Sequence, residues 1–140
     1  MAEPHRAWLV KADHDLLNVA NNLAAEDVPW DTVCVHAQQA AEKSLKAVLV
    51  SYGTAPPRTH DLVALLAQCA EHAPALADLE GACRTLTAFA VSSRYPDDLF
   101  QPDEADGRRT AALAREVRAR VGLLLRRPGL AGEGGPESGV

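Results

Sequence analysis

The stretch from position 31 to position 52 constrains the fold more than any other part of the chain, because small and apolar residues recur regularly along it with no glycine or proline to interrupt them. Its apolar and small residues recur at intervals of three and four, which predicts an amphipathic helix. The residues on the predicted inner face are Val33, Ala37, Ala40, Ala41, Ser44, Leu45, Val48 and Tyr52. We expect Asp31 or Thr32 to cap this helix and Gly53 to end it.

Prolines and glycines divide the rest of the chain into further helical segments. We predict helices over about 5–25, from Thr59 or Asp61 to just before Pro74, over 75–92 and over 103–126. No long strand alternation is present, and the main apolar residues, alanine and leucine, are strong helix formers. The predicted fold class is therefore all-α, an up-and-down antiparallel bundle of four to five helices.

Length and composition indicate one domain. With 140 residues and 14.9 kDa, the chain can bury a core without disulfides. We expect residues 1–127 to form the bundle and 128–140, rich in glycine and proline, to be a disordered tail. The chain has no signal-peptide core, no transmembrane run and no CxxC among its three cysteines. These features predict a cytoplasmic protein with buried, reduced cysteines.

The net charge of the chain and its few aromatic residues bear on whether it binds nucleic acids. The net charge of −5 is not the footprint of a duplex-DNA binder, and the few aromatic residues argue against a base-stacking platform. The last predicted helix is nevertheless rich in arginine. These arginines could meet RNA, an acidic partner or a second copy of the chain, or simply form a solvated face. They are Arg108, Arg109, Arg115, Arg118, Arg120, Arg126 and Arg127.

Three segments carry a family resemblance, in the right order and between the right helices. They are VHAQQAAEKSLKA at 35–47, RTHDL at 58–62 followed by Leu65 and Leu66, and RYPD at 94–97. Together they make residues 6–125 resemble the HEPN family, small helical bundles named for nucleotide binding in higher eukaryotes and prokaryotes. The resemblance implies a homodimer that often pairs with a small nucleotidyltransferase in a toxin–antitoxin arrangement.

One branch of that family consists of metal-independent endoribonuclease toxins, which use an arginine followed by a histidine after four to six residues. No such pair exists here, because the last histidine of the chain is His72 and the earlier spacings do not fit. We therefore expect a dimeric binding or accessory module. The missing motif favours a non-catalytic protein, and no cofactor is predicted. The alternatives are a metal-independent endoribonuclease toxin whose active-site residues differ from the family motif, and a stand-alone nucleotide-binding regulator. A nucleotide or RNA is the candidate ligand.

Five residues are candidates for ligand binding: Lys43, Lys46, His60, Arg94 and Tyr95. Lysine, histidine and arginine side chains can hold phosphate. Structural roles compete with this interpretation. Lys46 lies four residues after Glu42 and can form an ion pair with it on the same helix face. His60 can attach its loop to the bundle. Arg94 can form an ion pair with Asp97 or Asp98.

No catalytic or metal-binding residue is predicted. The acids Asp97, Asp98, Asp103, Glu104 and Asp106 lack the spacing of a calcium loop. The last three lie at a helix start, where negative charge is favourable.

Overall fold

The computed structural model describes residues 3–93 and 101–126. Within these ranges the chain forms five α-helices and no strand. The helices are α1 (Pro4–Leu23), α2 (Trp30–Ser51), α3 (Leu62–His72), α4 (Glu80–Ser93) and α5 (Glu104–Leu125), with a 3-10 helix at Pro74–Leu79. The predicted all-α bundle is confirmed. The predicted tail, 128–140, lies outside the described residues, so its disorder stays a prediction.

Side-chain hydrogen bonds cap the starts of α3 and α5, and a glycine follows the end of α2. Asp61 accepts hydrogen bonds from the backbone N–H groups of Val63 and Ala64, and so caps α3. Asp103 and Asp106 form a reciprocal capping box at the start of α5. Gly53 follows α2 with a φ of +79°, the left-handed conformation that glycine adopts at helix ends.

The start of α2 differs from the prediction, which was wrong about its cap. The helix begins at Trp30, and Pro29 occupies the capping position with no side-chain hydrogen bond. The Pro29 carbonyl accepts the N–H of Val33 at 3.0 Å and so begins the helical hydrogen bonding by itself. The Asp31 carboxylate instead accepts the N–H of its neighbour Thr32 at 2.8 Å.

The predicted fourth helix begins as a 3-10 helix over Pro74–Leu79 and becomes α-helical only at Glu80. Leu76 and Leu79 are both almost fully buried. Residues three apart lie on the same side of a 3-10 helix, so this tighter winding directs both leucines into the core.

Helix α2 is the centre of the bundle and packs against all four other helices. Its inward face is built mainly from small residues that are fully buried. Such residues let neighbouring helices approach closely. They are Ala37, Ala40, Ala41, Ser44 and Ala47.

The long connection between α2 and α3 returns along the bundle before α3 begins. The Cys69 thiol donates to the Leu45 carbonyl at 3.3 Å, and His72 stacks on Tyr52 with 4.6 Å between ring centroids. Residue numbers thus rise together along the two helices, so α3 runs in the same general direction as α2. The predicted up-and-down antiparallel order is therefore wrong for this pair, because the loop returns along α2 before α3 begins. The return path brings His60 beside the middle of α2, which creates half of the polar cluster described next.

Candidate functional site

Two buried carboxylates lie on the polar side of α2, and each collects more than one donor. The first is Asp15 of α1, whose side chain is 7% exposed. Lys43 donates to its Oδ2 at 2.7 Å, and His36 Nδ1 lies 3.2 Å from its Oδ1. Because an ionised carboxylate only accepts, the His36 Nδ1 carries the proton in this contact. Asp15 therefore joins two turns of α2 to α1.

The second carboxylate is Glu42 of α2, with 9% of its side chain exposed. Lys46 donates to Oε2 at 2.9 Å, and His60 Nδ1 lies 2.9 Å from Oε1. Gln38 donates to Oε1 at 3.3 Å and also to the backbone carbonyl of His60 at 3.0 Å. The Lys46 ammonium lies 5.6 Å from the ring centroid of Trp8 on α1, a cation–π distance. This group fastens the returning loop to α2.

The pKa of Glu42 reflects its surroundings. Burial alone would raise the pKa, because it penalises the charged carboxylate. The hydrogen bonds from Lys46, His60 and Gln38, with the charge of Lys46, outweigh burial and lower the pKa below its ordinary value. Glu42 is therefore held as a carboxylate rather than poised as a proton donor near neutral pH.

The structure brings together three of the five candidate ligand-binding residues in one region, the polar side of α2. Each of the three, however, contacts a carboxylate of the chain itself: Lys43 contacts Asp15, and Lys46 and His60 contact Glu42. The expected Glu42–Lys46 pair and the expected anchoring of the loop by His60 are both present. Arg94 and Tyr95 lie outside the described residues, so their roles stay predictions.

Sequence reasoning missed Asp15 as the centre of a charged group. The signal was available, because Asp15 lies three residues after Ala12 and four before Val19, on the buried face of α1. An acid within a buried helical stripe requires a partner, since an unpaired charge there is costly. The sequence did not indicate which basic residues of α2 would lie next to Asp15.

The cysteines and acidic residues within the described ranges form no further group that could act as a site. Cys34, Cys69 and Cys83 are free and buried, as predicted. Burial raises the pKa values of Cys69 and Cys83 to about 12, which keeps these thiols protonated and unreactive. Across 3–93 and 101–126, no three histidine, cysteine or acidic side chains are grouped to hold a metal ion. Membrane-spanning length and apolarity are found in none of the described helices.

The fold and this cluster define an all-α bundle in which buried ion pairs connect the central helix α2 to α1 and to the loop before α3. Residues 5–124 match the HEPN domain family, and the chain belongs to that family.

The solved structure of the protein TT1696 from Thermus thermophilus is similar, with 26% identity and a TM-score of 0.77. The match covers 87% of this chain and 98% of TT1696. No curated protein sequence matches.

Proposed function

We propose that this HEPN-domain protein is a dimeric binding or accessory module that acts with a small nucleotidyltransferase and does not cleave RNA. The observation that carries the proposal is the pairing of Lys43, Lys46 and His60 with buried carboxylates. Side chains that form ion pairs with Asp15 and Glu42 stabilise the bundle. They are therefore poorly available to bind the phosphate at which an RNA would be cleaved. The absent arginine–histidine motif supports the same conclusion.

The outer face of α1 supports the dimer. Val10 and Leu17 are 50% and 58% exposed, and they lie seven residues apart on one side of the helix. Two such faces from symmetry-related copies would cover each other's leucine and valine side chains. This face is separate from the Asp15 side of α1, which is already occupied by α2.

We expect light scattering to give a mass near twice 14.9 kDa at micromolar concentrations. Leu17→Asp places a charge in the proposed contact and should give a monomer with unchanged helical content. Leu123→Asp is the matched control, because Leu123 is 57% exposed but lies on α5. A monomeric wild type, or a dimer that dissociates on the Leu123 change and not the Leu17 change, would contradict an α1 interface.

The accessory role predicts a small nucleotidyltransferase gene beside the gene of this chain, and co-expression of the two proteins tests it. We expect the two proteins to co-purify, and the purified HEPN protein to leave RNA intact with and without a chelator. Metal-independent cleavage by the protein alone would instead establish the ribonuclease alternative. In that case, loss of cleavage in the Arg94→Ala protein would show that the Arg94 guanidinium is the cation that the reaction requires.

A further inference from the structure

A second polar feature lies away from the cluster on α2, where the start of α1 meets the end of α5. Here the two helices enclose a cleft of about 200 Å³. Its polar lining comes from His5 and Arg6 on α1 and from Arg118 and Arg126 on and after α5, with Gly122 at its wall. In the part of the chain that the structure describes, no acidic side chain lines this cleft.

The positive charge of the cleft is only partly neutralised. Arg118 uses Nε and Nη2 to bind Asp13, at 2.7 and 3.2 Å, and its Nη1 has no hydrogen-bond partner among the described residues. His5 contacts Glu3 outside the lining at 3.2 Å. Among the described residues, neither Arg6 nor Arg126 pairs with a carboxylate.

Gly122 explains how the guanidinium groups of Arg118 and Arg126 come close to each other. A Cβ at this position would lie 2.6 Å from Arg118 Nη1 and 4.0 Å from Arg126 Nη1. The absence of a side chain therefore lets the Arg118 head lie against the α5 backbone, with Arg126 next to it. Neighbouring guanidinium groups repel each other, and an anion bound between them would relieve that repulsion.

We propose that this cleft binds the terminal phosphate group of a small phosphomonoester. Guanidinium groups present planar pairs of N–H donors that match phosphate oxygens. Within the described part of the chain, Arg6 and Arg126 keep such pairs free of carboxylates, and Arg118 adds only the donors of its Nη1, because Asp13 holds its other two nitrogens. The start of α1 favours an anion and the end of α5 disfavours it. The two helix dipoles oppose each other, so the arginines carry the attraction. The cleft would bind phosphate whether or not the protein has the proposed accessory function.

The test follows backbone and arginine side-chain NMR signals of the full chain during titration at constant ionic strength. Inorganic phosphate is the first probe, adenosine monophosphate the second, and a short RNA without terminal phosphates the third, with chloride as the reference anion. We expect saturable shifts centred on His5, Arg6 and Gly122 with the first two probes. Shifts equal to those in chloride, or an RNA without terminal phosphates that binds as tightly as the monoester, would overturn the proposal.

Two variants separate a binding site from a structural one. Arg126→Gln removes one unpaired donor group, and Gly122→Ala displaces the Arg118 head while improving helix propensity. We expect each to weaken phosphate binding about tenfold, with the melting temperature of the Gly122→Ala protein unchanged or raised. Arg109→Gln makes the same charge change on α5, roughly 20 Å along the helix from Gly122, and should leave affinity within about twofold. Equal affinity in all three variants and the wild type would reject the site.

Discussion

Replacing Glu42 by alanine is expected to lower the free energy of unfolding by about 3 kcal/mol at neutral pH. The change removes the acceptor shared by Lys46, His60 and Gln38. Lys46 is only 8% exposed, so its ammonium would keep a charge that neither water nor a carboxylate fully compensates. Urea unfolding followed by circular dichroism measures the difference.

A double variant is the control for this interpretation. Glu42→Leu with Lys46→Met removes both charges and keeps apolar volume, so most of the lost stability should return. A loss below about 1 kcal/mol in the Glu42→Ala protein would contradict a buried, cooperative cluster, because exposed ion pairs contribute no more than that.

The pH dependence gives a second readout of the same residue. The folded-state pKa of Glu42 lies below its ordinary value of 4.5, so the folded state binds the proton more weakly than the unfolded chain. The stabilisation is therefore complete well above pH 4.5 and is lost as the pH falls through the lower, folded-state value. Glu42→Gln should be less stable than the wild type at neutral pH, with a difference that shrinks over this acidic range.

Adding one methyl group at Gly107 is expected to destabilise the protein by up to about 2 kcal/mol, the difference between an overpacking cost of about 1–3 kcal/mol and a gain in helix propensity of about 1 kcal/mol. A Cβ at this position would lie 2.5 Å from Cε3 of the Trp30 ring, so the ring or the helix must move. Trp30 is the first residue of α2 and packs against the core, and it cannot withdraw as a flexible chain end can. The overpacking cost should exceed the gain in helix propensity, about 1 kcal/mol for glycine to alanine.

Gly81→Ala is the matched control for that substitution. Gly81 lies in the first turn of α4, and no atom would come within 4 Å of an added Cβ. Its replacement should leave stability unchanged or raise it slightly. Thermal unfolding of the two variants side by side tests the claim, and equal melting temperatures would show that the Trp30 contact does not limit residue 107.

Helix α3 illustrates what local patterns do and do not specify. The leucine spacing and the capping residue Asp61 identify the helix and its start, because both depend on residues close in sequence. Its direction relative to α2 depends on the path of the connecting loop, which no periodicity describes. The contacts of His60 with Glu42 and Gln38 exist only because that loop returns along α2.

The amino-acid sequence by itself determined the helical class, the approximate helix bounds, the buried cysteines and the family, because propensity, periodicity and ordered motifs are local or serial properties. It also identified the Glu42–Lys46 pair, since four-residue spacing places both on one face. Only the tertiary structure decided that Lys43 and His36 would contact Asp15. The same holds for the cleft that Arg6 lines together with Arg118 and Arg126. Charges from distant segments become neighbours only when packing of the apolar faces fixes which helices touch and in which direction they run.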